Sequence, residues 1–274
     1  MNRDLLMSNA AHFRISYEIN PYMDIGCQPD AKAALVEHEA ISAAHRAAGR
    51  TVRVMESAPE CPDMVYTANA AFVCDQRAVL GAPPPARQEE IPYFRSVLKE
   101  NEFDVFDAPY PFSGQGDALA CGRFLLAGYG RRTDRRIHDF MAELFGHEVV
   151  PLQTASDQWY DLDLAVAVID ERTLAYHPQA LTAPSRSRLR DLGLDLIEVG
   201  VQEARAFALN LISDGTTVTM TVGAPRLAAT LRERGLTVAE LNTTQLRKGG
   251  GGVRCTALTL DNPAPADASP LPSS

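Results

Sequence analysis

The chain has 274 residues, with 26 basic against 35 acidic side chains and a formal charge of −9 with histidine neutral. That length can bury a full core, and 46% hydrophobic with 22% charged residues is the balance of a globular protein. The acidic excess argues against a nucleic-acid face and against an anionic membrane surface, and no apolar run approaches the roughly 20 residues of a membrane span.

Taken in chain order, Met1 to Arg14 is too polar for a signal-peptide core. Asp30 to Ala48 reads as a helix, with Asp30 as N-cap and Gly49 as its stop. Strands are expected over Thr51–Met55, Met64–Cys74 and Ala78–Leu80. A helix follows from Gln88 to Glu100, with Pro92 tolerated in its first turn. Phe103–Phe106 and Arg123–Ala127 read as strands. Thr133 is expected to cap a third helix that Gly146 closes. Leu164–Ile169 and Thr173–Tyr176 form a hairpin-like pair, and Pro184–Leu192 a fourth helix. Thr216–Val222 is a β-branched strand, Pro225–Arg234 a fifth helix between proline and glycine signals, and Val253–Leu260 a final strand. Five helices among short strands, every 40 to 60 residues, suggest an internal structural repeat, although no matching sequence repeat is visible. No dinucleotide or P-loop glycine pattern is present. One domain over residues 1–261 and a disordered Pro/Ala/Ser-rich tail over 262–274 are expected.

Cys27, Cys61, Cys74, Cys121 and Cys255 are odd in number and scattered, without a C-x-x-C pair. This reads as a cytoplasmic protein with reduced thiols and without a structural zinc site. Four clusters stand out. Asp63 precedes a segment containing Asn69, and either caps a turn or presents a carboxylate. Ser113-Gly114-Gln115-Gly116-Asp117 is either a tight turn or a close backbone approach to a ligand. Arg131 and Arg132 stand at an expected helix start, where they oppose the dipole, so they are either a solvated turn or a carboxylate grip. Gly249 to Gly252 before Arg254 and Cys255 is either a flexible linker or backbone that must pass a ligand closely. Arg254 is positioned to favour a thiolate.

These segments, with His12-Phe13-Arg14 through Met23, resemble the dimethylarginine dimethylaminohydrolase and amidinotransferase-related family in order from about residue 12 to residue 260. The resemblance implies an α/β five-bladed pentein propeller of ββαβ-type units. It implies that Cys255 is a nucleophile forming a thiouronium-type intermediate, that Asp63 holds a guanidinium, that Asp117, the acid of the glycine-aspartate motif, is a catalytic residue, and that Arg132 grips an α-carboxylate. Asn69, Ser113 and Gly252 fall in the same motifs as substrate-contacting positions. The chemistry needs neither metal nor organic cofactor. The partner is a small cationic amino acid, with a homodimer left open as the assembly.

Two departures matter. The family's Phe-Glu-Gly-x-Gly-Asp pattern has Ser113 here in place of glutamate, and its Phe-Tyr-His-Leu-Asp pattern reads Trp159-Tyr160-Asp161-Leu162-Asp163, with Asp161 in place of histidine. The resemblance thus retains a nucleophile but loses the usual proton-transfer pair. Asp161 is the candidate acid/base in a diverged cysteine enzyme; a pocket that binds an arginine-like ligand without turnover is the alternative. His177 is the only other base entertained, and the remaining histidines read as surface or helix residues.

Overall fold

The computed structural model describes residues 2–265. Its strands and helices, in order, are β1 (Asp4–Ser8), α1 (Ala31–Ala47), β2 (Thr51–Met55), β3 (Ala71–Cys74), β4 (Arg77–Leu80), α2 (Ile91–Glu100), β5 (Asp104–Phe106), β6 (Ala118–Cys121), β7 (Phe124–Tyr129), α3 (Ile137–Phe145) and β8 (Glu148–Gln153). They continue as β9 (Val166–Val168), β10 (Thr173–Tyr176), α4 (Ala183–Arg190), β11 (Asp195–Glu198), α5 (Val201–Arg205), β12 (Ile212–Ser213), β13 (Thr217–Thr221), α6 (Pro225–Glu233), β14 (Thr237–Leu241) and β15 (Leu258–Thr259).

The strands form five three-stranded sheets with one repeated plan. A first strand pairs antiparallel with a central strand; a helix crosses over; an outer strand pairs parallel with the central one. The crossover helix is what a parallel neighbour requires. The fifth sheet joins the two ends of the chain. Here β15 lies antiparallel to β1, with Leu5 opposite Thr259 and Leu6 opposite Leu258, and β1 runs parallel to β2. The expected five-unit ββαβ plan is therefore the observed one.

The helices form where the sequence signals them. The Asp30 carboxylate accepts the Ala33 amide at 2.9 Å. One face of α1 buries Ala34, His38, Ile41 and His45, the three-and-four spacing of a single helical stripe. Gly146 closes α3 in the left-handed region at φ 72°.

Several expected elements differ. Residues 64–70 form turns and a short 3-10 helix, and only Ala71–Cys74 is strand. Likewise residues 253–256 form a turn ahead of the two-residue β15. Both segments lie buried without joining a ladder, and Val65, Tyr66, Thr67 and Val253 are strand-favouring residues used there in buried turns. Thr133 does not cap α3, which begins at Ile137; its hydroxyl donates to Asp117 at 2.6 Å and accepts from the Ser113 amide at 3.1 Å. Arg132 accordingly lies in a turn, and no helix dipole opposes it. The outer strands β8, β11 and β14 carry exposed charged residues that hide their pattern.

At the other terminus, Asn262 is buried. Its side chain donates to the Val73 carbonyl at 2.9 Å and its own carbonyl accepts from Asp75. Ordered packing thus reaches past residue 261, and residues 266–274 of the expected tail lie outside the described residues.

His38 and His45 are buried on α1, and His147 is buried in the connection before β8, away from both surface and helix. Burial lowers His38 and His147 to about 4; for His45 burial, then the Arg50 cation, lowers it to about 3. An unfolded histidine takes its proton first, near pH 6.5, so stability falls as pH drops from about 6.5 to about 4 for His38 and His147, and on to about 3 for His45. Both ring nitrogens of His147 lack partners. His147→Leu should therefore cut the stability lost over that pH range by about 2–3 kcal/mol, measured by denaturant melts. Equal losses in variant and parent would refute a neutral buried His147.

Candidate active site

Each first strand is entered from a turn that opens toward the propeller axis, and these turns supply the site. Asn69, Gly116, Asp163, Asn210 and Cys255 each stand two residues before Ala71, Ala118, Ala165, Ile212 and Ala257, where the chain enters or approaches its first strand. The first four are 47 residues apart and the last follows after 45. The repeat is one of position and not of residue type.

Cys255 is 2% exposed. Its Sγ lies 3.0 Å from Asn210 Nδ2 and 3.2 Å from Asp163 Oδ2. The Asn210 amide cannot be reversed, because its Oδ1 accepts the backbone N–H groups of Gly252, Arg254 and Cys255 at 3.0, 3.0 and 3.2 Å. Its Nδ2 therefore faces both Sγ and Asp163 Oδ2, the latter also at 3.0 Å. Burial pushes the thiol well above its ordinary value, and the Asp163 charge pushes the same way, with a smaller push from Asp161; the Gly252 amide and Asn210 act in the opposite direction.

A second cluster surrounds Asp161. Its Oδ1 accepts the Ser113 hydroxyl at 2.8 Å, and its Oδ2 accepts Asn69 Nδ2 at 3.1 Å and Arg132 Nη1 at 3.4 Å. The Arg132 guanidinium lies 4.1 Å over the Tyr160 ring, and Nη2 reaches the Ile19 carbonyl at 3.4 Å. Arg132, Tyr160 and Ile19 border an open pocket of about 420 Å³ that Glu18, Asn20 and Asp157 also line. A Cβ on Gly116 would lie 2.6 Å from Asn69 Nδ2 and 2.8 Å from Asp161 Oδ2, so this position must be glycine for the two to meet.

Two further carboxylates lie behind. Asp117 accepts the Thr133 hydroxyl at one oxygen and the Leu162 amide at the other, 2.6 and 2.9 Å. It thereby fixes the segment between Asp161 and Asp163 and the turn beside Arg132. A Cβ on Gly128 would strike Asp117 Oδ1 at 2.1 Å. Asp63 is 1% exposed, 4.0 Å from Arg87 Nε. Arg87 also forks onto Glu90 and donates to Asn69 Oδ1 at 2.8 Å. Burial raises Asp63 to about 6, against the lowering effect of Arg87. Burial and then the Asp161 charge raise both Asp117 and Asp163 above the usual carboxylate range.

The glycine run is buried backbone pressed by aromatic rings, not a linker. Tyr66 donates to the Leu246 carbonyl and Tyr160 to the Gly250 carbonyl, each at 2.6 Å. A Cβ on Gly249 or Gly251 would enter Tyr66 at 2.2 or 2.4 Å. Arg254 turns away from the thiol: its guanidinium donates to Gln115 Oε1 at 2.8 Å, Thr259 Oγ1 at 3.1 Å and the Ala257 carbonyl. Gln115 in turn pairs with both the N–H and C=O of Thr259, as a strand would.

Of the residues singled out from sequence, Asn69, Ser113, Asp161 and Arg132 meet in one cluster, and Gly252 and Cys255 in the other. Asp63 and Asp117 carry no hydrogen bond to Cys255. His177 is tied through Nδ1 to the Val199 carbonyl at 2.7 Å and packs on Trp159, outside both clusters. Sequence reasoning missed Asp163, Asn210, Arg87 and Tyr160 as site residues. Asp163 and Tyr160 stood inside a quoted motif, and the 47-residue step would have found Asn210. Nothing local marks Arg87. Among the described residues no group of His, Cys, Asp and Glu is placed to hold a metal, and no helix is long and apolar enough to cross a membrane.

The sequence and the fold resemble those of known proteins. A family model described as eukaryotic N,N dimethylarginine dimethylhydrolase matches residues 18–260. An N(G),N(G)-dimethylarginine dimethylaminohydrolase of Mycobacterium tuberculosis is 36% identical over 259 residues, 94% of this chain and 86% of that one. The bifunctional arginine dihydrolase/ornithine cyclodeaminase ArgZ of Synechocystis is 32% identical over 94% of this chain, which spans 38% of that longer protein. The solved N-terminal domain of ArgZ superposes with a TM-score of 0.91 at 31% identity, covering 96% of this chain and 98% of the domain. The Pseudomonas aeruginosa dimethylarginine enzyme, at 19% identity and TM-score 0.79, shares the fold. With its five ββαβ blades and its motifs in family order, the chain belongs to the dimethylarginine dimethylaminohydrolase family of guanidine-modifying penteins.

Proposed function

We propose that the protein is a cysteine-dependent hydrolase of a C–N bond in arginine or an arginine-derived guanidine, working through a covalent intermediate on Cys255. The observation that carries this reading is the thiol held between Asp163 Oδ2 and Asn210 Nδ2. A planar guanidinium seated against Asp163 and Asp161 would make charge-assisted hydrogen bonds to both and bring its central carbon to Sγ. The same cation offsets the Asp161 charge that, together with burial, holds the thiol proton on, so the thiolate forms when substrate is present. Sulfur then attacks the carbon, the protonated amine departs, and water cleaves the C–S bond to leave a ureido product and free Cys255. The names of the relatives support this class of substrate, as does a solved variant of the ArgZ N-terminal domain covalently bonded to a reaction intermediate.

The proton chemistry is where this chain diverges. Asp161, hydrogen-bonded by Ser113, is the group that moves protons at the reacting nitrogen, and Asp117 and Asp63 position the site from behind. Arg132 meets the substrate carboxylate from its seat on Tyr160, after exchanging its contact with Asp161. One observation favours the alternative of an arginine-binding protein without turnover: Asp161 already accepts from Ser113, Asn69 and Arg132, and no imidazole stands at the cysteine.

Intact-mass spectrometry after incubation with L-arginine and with dimethylarginine separates the two readings. An adduct on Cys255, or product release, supports the enzyme; binding without either supports the binder. Cys255→Ser should abolish adduct and turnover with the fold intact, since a serine hydroxyl is far less ionised and has no imidazole base; activity in that variant would remove Cys255 as the nucleophile. Arg132→Ala should raise KM for amino-acid substrates by about tenfold to a hundredfold, with a much smaller effect on guanidines lacking the carboxylate. Equal losses for both would make Arg132 structural. Asp161→Asn removes a charge facing Cys255 and should speed alkylation of the empty enzyme by a neutral reagent, by up to about tenfold, while losing turnover. Unchanged alkylation and turnover together would take Asp161 out of the reaction.

A further inference from the structure

Beyond Cys255, on the side of Asp163 where β6 and β9 run on from their turns, lies a cavity of about 20 Å³. It is lined by Asp163, Arg254, Asn2, Asn262, Ala120 and Ala167 among others. A space of this size takes one water molecule, and its polar lining supplies partners for it. None of the residues lining the Arg132 pocket belongs to it.

The two oxygens of Asp163 are unequal. Oδ2 already accepts from the Asn210 amide and the Cys255 thiol. Oδ1 is buried without a hydrogen-bond partner, on a residue 1% exposed. A proton on Oδ2 would compete with two donors that the Asn210 network holds in place; a proton on Oδ1 competes with none. We propose that the empty enzyme keeps Asp163 protonated on Oδ1, and that the axial cavity holds the water that carries this proton away when a cation binds at Oδ2.

The step balances. The Oδ1–H bond breaks, the proton passes to the cavity water and on to solvent past Asn2 and Asn262, and the carboxylate left behind faces the bound cation. No oxidant or second reactant is required. The groups facing Asp163 agree with the starting state. Burial and the charges of Asp161 and Asp117 favour the neutral acid, while Arg254 and the Cys255 hydrogen bond oppose it. The cavity gives the proton a way out once substrate fills the entrance beside Arg132. Only the identity of the cation rests on the proposed function.

Infrared spectroscopy tests it without any substrate. At neutral pH the ligand-free protein should show a protonated-carboxyl band that shifts in D2O and is absent from Asp163→Asn. Ala167→Leu fills the cavity and should slow that exchange several-fold; Ala120→Val, on another wall, is the second variant should the first not fold. A spectrum without a band that Asp163→Asn removes would overturn the proposal, as would parental exchange rates in both cavity variants. Adding L-arginine to Cys255→Ser should then abolish the band. If calorimetry finds no arginine binding while the band and its slowed exchange are present, the arginine reading fails and the position of the proton stands.

Discussion

Negative charge buried around a single thiol is the constraint on which the rest of the structure depends. Asp63, Asp117, Asp161 and Asp163 are each no more than 4% exposed, and they converge on a space that also holds Cys255. Buried carboxylates are costly unless paired or neutralised. The protein uses several devices at once. Arg87 stands beside Asp63 and Arg132 meets Asp161. Neutral donors satisfy Asp117, and the Asp163 carboxyl has its affinity for a proton raised. Under the proposed function, a cation from outside completes this site and also releases the thiol proton. Recognition and activation of the nucleophile are then one electrostatic event.

The propeller makes such crowding feasible. No single helix or strand could bring these groups to one point without exposing backbone. Five turns, each backed by its own sheet and crossover helix, place one residue apiece at the axis. Closing β15 against β1 fixes the cysteine turn relative to the other four, and the Gln115–Thr259–Arg254 hydrogen bonds tie that closure to the turn that enters β6. Because Asn210 holds the backbone of Gly252, Arg254 and Cys255, the nucleophile is positioned by its neighbour in the ring as much as by its own strand.

Much of this was legible from the amino-acid sequence. The helix signals at Asp30, Pro225 and Gly146, the five-unit rhythm and the order of the motifs led to the architecture and to most of the cluster around Asp161. The rest was hidden for physical reasons. The blade turns are buried and hold strand-favouring residues such as Val65, Tyr66 and Val253, so residues 64–70 and 253–256 mimic strands. The outer strands are short and half exposed, and β8 carries Pro151, which an outer strand tolerates. The 47-residue repeat was invisible to comparison of residue types because its positions hold Asn, Gly, Asp, Asn and Cys, each chosen by what it must do at the axis. Arg87 is distant in sequence and surrounded by ordinary helical residues; only its convergence with Asp63 and Asn69 in space marks it.

Gly116 is the member of that ring without a side chain, and the divergence of this chain is concentrated around the space it leaves. Asn69 and Asp161 both reach into it, and Ser113 binds Asp161 from the adjoining turn. A short acid and a short hydroxyl occupy the place where the family pattern has an imidazole and a longer acid. The exchange places a carboxylate 3.4 Å from Arg132, where a neutral imidazole carries no negative charge. Under the proposed function, an incoming amino acid draws Arg132 toward its carboxylate while its guanidinium replaces Arg132 as the cation beside Asp161. The two ends of such a ligand are then coupled through one ion pair. On that reading, a molecule offering the cation alone leaves Arg132 with neither carboxylate, one offering the carboxylate alone leaves Asp161 unpaired, and the site discriminates by requiring both.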